Sequence, residues 1–265
     1  MLDPREGLTP DGLITTGADR SRVPAAHEAV LEQAVAGAAG RVGELHLYGS
    51  VATGTARSPG SDVDLLAIDA DPEEMARLAA DLGRRFGALC REVAVGVAQP
   101  DDYRGADDAA YGNRVFLRHY CVPLLGDDAH RSAHPFPGDR DAARGFNGDL
   151  GRHLARWRAA EPGPDLARRV GRKTLLAVAG LVSVTDATWT TDRDTAAHRW
   201  GELRPSWRED LQRLLRWAGG TDDDPAAVRA ALGEGGVVDR VVADFAERIG
   251  LWRDGGSGVP SRRGG

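Results

Sequence analysis

Two aspartates one residue apart are the residues of this sequence best suited to metal chemistry. Asp62 and Asp64 open an apolar segment, residues 61–68, that follows a turn-rich loop. Because side chains alternate between the two faces of a strand, both carboxylates point the same way, with Cα atoms about 6.5 to 7 Å apart. Two carboxylates on one face can share divalent ions, and magnesium completes its shell with water and substrate phosphate. The spacing predicts phosphoryl or nucleotidyl transfer, in which two metals about 3.5 to 4 Å apart hold the attacking and leaving oxygens.

A Gly-Ser pair ends the preceding apolar segment. Gly49 and Ser50 directly follow residues 45–48, which have the composition of a strand. Glycine lets the backbone approach a phosphate closely, and serine offers a hydroxyl and an N–H. The Gly49-Ser50 pair therefore predicts a binding site for a triphosphate. An Asp-x-Asp alone often marks only a solvated strand end, and a Gly-Ser alone is usually a turn, so the joint pattern carries the prediction.

The joint pattern resembles the signature of the DNA polymerase beta-type nucleotidyltransferase superfamily. Members carry a third carboxylate on a later strand, and Glu92, in the apolar segment 91–97, is the candidate here. Within that superfamily the sequence is most similar to the aminoglycoside (streptomycin and spectinomycin) adenylyltransferases, whose strand-loop-strand resembles residues 45–66. The resemblance implies that Asp62, Asp64 and Glu92 hold two Mg²⁺ ions, with ATP as co-substrate and Glu92 as general base.

Further candidates for binding lie in the second half of the chain. Residues 190–197 resemble a helix start of the adenylyltransferases, where a basic residue, an acid and paired alanines recur. Arg193 stands at the basic position and is predicted to bind nucleotide, and Asp194 matches the acid and is predicted to pair with a cationic substrate group. The alternative is an ordinary first helical turn that is capped by Thr191.

Lys173 and Trp189 are two more candidates, each with a structural alternative. Lys173 is the sole lysine of the sequence and is predicted either to reach the triphosphate or to lie on a solvated helix flank. Trp189 lies in a break between helical segments and is predicted to line a sugar or base pocket. The alternative for it, as for the other five tryptophans, is packing between helices.

Composition restricts the classes of protein. The chain has 265 residues, 42% of them hydrophobic and 28% charged, which is typical of a globular protein. Its formal net charge of -6 argues against non-specific nucleic-acid binding and would suit a cationic small substrate. No apolar run approaches the ~18 residues of a membrane span, and the N-terminus lacks an export signal, so we expect a cytoplasmic protein. Cys90 and Cys121 are predicted to be buried and unpaired, and the histidines around Cys121 have no compact zinc spacing.

The order of segments predicts an α+β fold with a small mixed sheet followed by an all-α bundle. We expect a helix over 25–40, strands over 43–48 and 62–69, and a helix from Asp71 to about Phe86. Residues from about Asp139 to Trp252 are predicted to form five or six helices. The expected domains are a flexible arm (1–23), a nucleotidyltransferase catalytic domain (24–130), a helical substrate-side domain (138–253) and a disordered tail (254–265).

The resemblance implies transfer of AMP from ATP to a hydroxyl of an aminoglycoside or aminocyclitol antibiotic, as in a resistance enzyme. The segment between Glu92 and Gly126 is shorter than in the adenylyltransferases, which leaves another small-molecule acceptor open. Transfer to a protein or a tRNA is a further alternative, although the acidic balance argues against tRNA. A non-catalytic nucleotide-sensing protein is the alternative outside enzymes, and it would be indicated by a lost carboxylate.

Overall fold

The computed structural model describes residues 5–252 and shows an α+β protein with a small mixed sheet and many helices. These residues form two compact units. The sheet unit comprises Thr16–Ala106 and Asn113–Pro135, and the helical unit comprises residues 5–15, Asp107–Gly112 and residues 136–252. The tail predicted over 254–265 lies outside the described residues.

The helices and strands follow one another closely except over residues 126–139, which contain neither. In chain order they are β1 (Gly7–Leu8), β2 (Ile14–Thr15), α1 (Glu28–Ala38), β3 (Glu44–Tyr48), α2 (Gly49–Ala52), β4 (Val63–Ile68), α3 (Pro72–Phe86), β5 (Val93–Ala98), α4 (Asp108–Tyr120), β6 (Val122–Leu125), α5 (Arg140–Asn147), α6 (Leu150–Arg158), α7 (Pro164–Thr185), α8 (Arg193–Leu203), α9 (Arg208–Gly219), α10 (Pro225–Leu232) and α11 (Val237–Arg248).

The sheet unit is built on a four-stranded mixed sheet in the order β5-β4-β3-β6. Strands β4 and β5 are parallel, joined by the crossover helix α3, and the other two pairings are antiparallel. The strands predicted over 43–48 and 62–69 are confirmed to within a residue at each end. The mixed sheet predicted from the sequence is therefore present.

Two helices cover one face of this sheet. Helix α3 begins as predicted, with Pro72 in its first turn and the side chain of Asp71 accepting a hydrogen bond from the N–H of Glu74 at 2.8 Å. Its buried residues Met75 and Leu82 join the apolar side chains of α1 and of the strands in one core. That core contains Val30, Leu31, Ala34, Leu45, Leu47, Val63, Leu65 and Val93.

Helix α1 is shorter than predicted. Residues Ala25–His27 form a 3-10 turn, and regular α-helix begins only at Glu28. Pro24 ends the preceding extended segment, and no side chain caps either helix start with a hydrogen bond. The opposite face of the sheet carries a smaller apolar cluster with Leu66, Ile68 and Leu117.

The helical unit contains seven α-helices in the described residues after 136, against the five or six predicted. Helix α7 is central and packs against α5, α8, α9 and α11. The prediction missed the break between α5 and α6 because it depends on a distant contact. A Cβ at Gly148 would lie 2.3 Å from Cδ1 of Trp252, so only glycine lets these two segments come so close.

Part of the predicted N-terminal arm, from residue 5 onward, forms specific contacts. Strands β1 and β2 pair antiparallel. The N–H of Ile14 donates to the carbonyl of Phe136 at 2.9 Å, and the hydroxyl of Thr191 donates to Glu6 at 2.7 Å. These partners are far away in the sequence, so local periodicity could not reveal them.

The structure also bears on the expectations about the cysteines and about membrane-spanning segments. Cys90 and Cys121 are buried and free of disulfides, as predicted. None of the helices in residues 5–252 combines the length and hydrophobicity that crossing a membrane requires.

Candidate active site

The start of β4 places two carboxylates on one face of the sheet. Asp62 directly precedes the strand and Asp64 is its second residue. Val63, between them, is fully buried in the core under α1 and α3, so both aspartates point to the opposite face. Each of the two aspartates is only partly exposed. The alternation that the sequence predicted is therefore present.

Glu92 is placed beside them by the parallel pairing of β4 with β5. Val63 is the register partner of Val93, and the N–H of Val63 donates to the carbonyl of Glu92 at 2.9 Å. Glu92 stands one residue before the buried Val93, just as Asp62 stands one residue before Val63. The structure thus brings Asp62, Asp64 and Glu92 to the same end and the same face of two neighbouring strands.

Arg91 is a charged neighbour of this group that the sequence analysis missed. Its Nε donates to Oδ1 of Asp62 at 2.9 Å, and its Nη2 donates to Oδ2 of the same carboxylate. The hydrogen bonds to Asp62 raise the pKa of Arg91, and the charges of Asp62, Glu92 and Asp64 add to this effect. The guanidinium therefore lies in the field of all three carboxylates. The position of a basic residue directly before Glu92 is the sequence feature that could have indicated this contact.

Gly49 brings the backbone against Asp64. Its φ is +75°, a conformation that favours glycine, and a Cβ there would lie 2.4 Å from Oδ2 of Asp64. Tyr48, the preceding residue, is the register partner of Asp64. The turn from β3 into α2 therefore passes directly beside the carboxylates.

Ser50 follows in the short helix α2 and is partly exposed. Its carbonyl accepts hydrogen bonds from the N–H groups of Thr55 at 2.8 Å and Ala56 at 3.1 Å. These bonds fold the loop after α2 back onto the Gly-Ser turn. Gly49 and Ser50 thus lie next to the carboxylates, in the sheet unit.

The other candidates belong to the helical unit. Lys173, on α7, lies 2.7 Å from Oδ1 of Asp149 and donates to the carbonyl of Phe146 at 3.1 Å. Burial tends to raise the pKa of Asp149, but a hydrogen bond with His153 and the charge of Lys173 outweigh it and bring the pKa to about 2. Lys173 is thus held in a local ion pair, which neither of its two predicted roles included.

Helix α8 begins differently from the predicted alternative. Asp192, not Thr191, is the N-cap, and its side chain accepts from the N–H of Thr195 at 2.7 Å. Asp194 in the first turn is exposed. Arg193 forms no ion pair among residues 5–252, and burial lowers its pKa, with the charge of Arg172 adding to this effect. The charges of Asp192 and Asp194 act in the opposite direction and partly offset these two effects.

Trp189 has the packing role that was its alternative. It is 2% exposed, and its ring lies edge-on to that of Phe146 with centroids 5.7 Å apart. A Cβ at Gly138 would be 3.3 Å from its Cε3 atom. The indole is enclosed in this way, and a role of Trp189 in lining a sugar or base pocket stays a prediction.

The fold has a counterpart among solved structures. Comparison with known protein families gives no match, and comparison with curated protein sequences gives none either. The structure is similar to that of spectinomycin adenyltransferase AAD(9) from Enterococcus faecialis, solved with ATP and spectinomycin, with a TM-score of 0.50. The similarity covers 83% of this chain and 97% of the neighbour at 11% sequence identity, so it shows the shared fold alone.

Proposed function

We propose that this chain is a metal-dependent nucleotidyltransferase of the cytoplasm that transfers AMP from ATP to a hydroxyl of a small molecule. The observation that carries the proposal is the placement of Asp62, Asp64 and Glu92 on one face, with the backbone of Gly49 against Asp64. The nucleotidyltransferase-like fold supports it. We assign the catalytic role to residues 24–130 and the substrate-side role to residues 138–253.

The donor set suits magnesium. Asp62, Asp64 and Glu92 offer only carboxylate oxygens, which are the ligands that Mg²⁺ prefers. The ion pair of Asp62 with Arg91 is consistent with cation binding at this face. When bound there, Mg²⁺ would neutralise negative charge on the triphosphate and on the departing pyrophosphate.

Residues of the chain would bind the phosphates and take the proton from the acceptor. Gly49 and Ser50 would hold the β- and γ-phosphates through backbone N–H groups and the serine hydroxyl. Glu92 would take the proton from the acceptor hydroxyl. The acceptor oxygen then bonds to the α-phosphorus while the bond from that phosphorus to the bridging oxygen breaks, and pyrophosphate leaves with the electron pair.

The helical unit would supply further contacts. Arg193 is suited to the nucleotide because its guanidinium is partly buried and forms no ion pair among residues 5–252. Lys173 would first have to exchange its contact with Asp149 for a phosphate. Exposed Asp194 would pair with a cationic group of the acceptor. An aminoglycoside or aminocyclitol is therefore the acceptor class that we propose, and the neighbour that was solved with ATP and spectinomycin supports it.

The test is magnesium-dependent release of pyrophosphate from ATP across a panel of aminoglycosides and aminocyclitols. Asp64→Asn is the inactive variant, and Asp69→Asn, just beyond the other end of the same strand, is its matched control. We expect release with one compound, a product heavier by one AMP, and loss of both only in Asp64→Asn. Equal release by Asp64→Asn would refute the site, and release without any acceptor from the panel would refute the antibiotic as acceptor.

A further inference from the structure

A second group of histidine and carboxylate side chains lies on β3 and on the loop after β6. Glu44 and His46 alternate with the core residues Leu45 and Leu47, so they share the sheet face of Asp64. Register places Glu44 opposite Ile68, at the far end of β4 from the carboxylates. Both side chains are buried, Glu44 at 2% and His46 at 0% exposure.

Gly126 brings the loop to these two residues. It has a φ of +99°, and a Cβ there would lie 2.5 Å from the carbonyl oxygen of Gly43. Only glycine allows the chain to leave β6 so close to the start of β3. Two residues later, Asp128 has a φ of +58°. His130, two residues further, donates its backbone N–H to Oε1 of Glu44. The local backbone therefore determines which side chains meet here.

Glu44 fixes the orientation of the His46 ring. Its Oε2 lies 2.8 Å from Nε2 of His46, while its Oε1 accepts from the N–H of His130 at 3.1 Å and lies 2.6 Å from Nδ1 of that residue. Asp128 is oriented in a similar way, because its Oδ2 lies 3.5 Å from Nη1 of Arg131. These contacts use Nε2 of His46 and Oδ2 of Asp128, so Nδ1 of His46 and Oδ1 of Asp128 remain as possible metal ligands.

Those two atoms face each other. Nδ1 of His46 and Oδ1 of Asp128 are 4.0 Å apart, and within residues 5–252 neither has a hydrogen-bond partner although both are buried. One donor atom from each of Glu44, His46 and Asp128 lies within 4.8 Å of the other two. Leaving buried polar atoms without a partner is costly, so a ligand between them would be stabilising.

We propose that His46 and Asp128 bind a divalent transition-metal ion of the Zn²⁺ class, with Glu44 as a positioning residue. An imidazole nitrogen paired with a carboxylate suits zinc, whereas magnesium prefers oxygen ligands alone. Histidines that bind metals almost always donate their other ring N–H to a carboxylate or a carbonyl, as His46 can to Glu44.

The distances allow this assignment. Two ligands of a tetrahedral zinc ion lie roughly 3.4 Å apart, given bonds of about 2.0 to 2.1 Å. A small rotation of the Asp128 side chain, which is 28% exposed, would close the difference from 4.0 Å, and water molecules would have to supply the remaining ligands. Arg131 and Arg118 both carry a positive charge that acts on Asp128, and the carboxylates of Glu44 and Asp128 match these two charges in number. The metal would tie the loop after β6 to the first strand of the sheet.

The test measures zinc binding to the full chain by calorimetry. Asp62→Asn/Asp64→Asn is the starting variant, so that the carboxylates of the candidate active site do not contribute. We expect one Zn²⁺ per chain and a rise in the melting temperature with Zn²⁺ but not with Mg²⁺. Adding Asp128→Asn is expected to weaken zinc binding at least ~10-fold. Asparagine tolerates a positive φ, so this variant keeps the fold.

Asp127→Asn is the matched control, since the side chain of this neighbouring loop aspartate accepts, among residues 5–252, only from the N–H of Ala129 at 3.3 Å. It is expected to bind zinc like the starting variant. Replacing zinc by Co²⁺ provides a visible absorption band that reports a nitrogen and oxygen ligand set directly. Absence of zinc binding, or equal binding with and without Asp128→Asn, would overturn the proposal and indicate a water between the two atoms.

Discussion

The backbone of Gly49 lies so close to Asp64 that a Cβ on residue 49 would come within 2.4 Å of Oδ2 of that carboxylate. The turn that is proposed to bind the triphosphate and the carboxylate that is proposed to bind the metal are therefore one packed arrangement. A change in either residue is expected to be felt by the other.

Gly49→Ala is expected to destabilise the protein and to abolish transfer. A non-glycine residue in the left-handed region costs roughly 1 to 2 kcal/mol, and the new methyl group must displace the Asp64 carboxylate. Urea unfolding and pyrophosphate release measure the two effects. Gly83→Ala in helix α3 is the control, because a Cβ there meets nothing within 4 Å. That control is expected to gain about 0.5 to 1 kcal/mol and keep full activity.

Glu92→Gln is expected to lower the transfer rate at least ~100-fold while ATP still binds, because the amide cannot take the proton from the acceptor hydroxyl. Single-turnover rates at saturating ATP, together with the ATP dissociation constant, separate chemistry from binding. A rate close to that of the unchanged protein would remove Glu92 from the role of general base.

Arg91→Gln is expected to lower the magnesium concentration needed for half-maximal activity, because the guanidinium occupies the Asp62 carboxylate. The Arg91 side chain is 63% exposed, so solvent screens the pair and the shift is about two- to fivefold. Arg104→Gln, which removes another exposed pair at the end of a different segment, should change nothing. A raised KM for ATP with an unchanged magnesium requirement would instead make Arg91 a phosphate ligand.

Asp149→Asn is expected to destabilise the protein by about 2 kcal/mol at pH 7. The folded pKa of Asp149, about 2, lies below its ordinary value of 3.8. A lowered pKa stabilises the fold above about pH 4, and that contribution disappears as the pH falls towards 2. Urea unfolding at pH 7 and pH 3 should therefore show a smaller difference at the lower pH. Asp223→Asn, an exposed aspartate, should show no such difference at either pH.

The strands and the carboxylate face could be predicted because they depend on local pattern. The alternation around Val63 places Asp62 and Asp64 opposite a buried valine. Glu92 was identified from the resemblance, and the parallel pairing of the two strands places it beside the aspartates. Helix α3 was predictable from Asp71 and Pro72 for the same reason.

Contacts between distant residues could not be predicted in this way. The ion pair of Arg91 with Asp62 and the approach of Gly148 to Trp252 join segments whose separation no periodicity encodes. Asp128 meets His46 only because Gly126 turns the chain back over β3. Trp189 had the residue type of a pocket wall, and only its packing against Phe146 shows that it is enclosed.

The three carboxylates and the Gly-Ser turn all lie between the start of β3 and the end of β5, residues 44–98, without interruption by another unit. During synthesis on the ribosome this stretch emerges before any of residues 136–252. The acidic face can therefore assemble co-translationally from neighbouring segments, and only β6 must join the sheet later. We expect nascent chains that end shortly after β6 to bind divalent cations before the helices of residues 136–252 have formed.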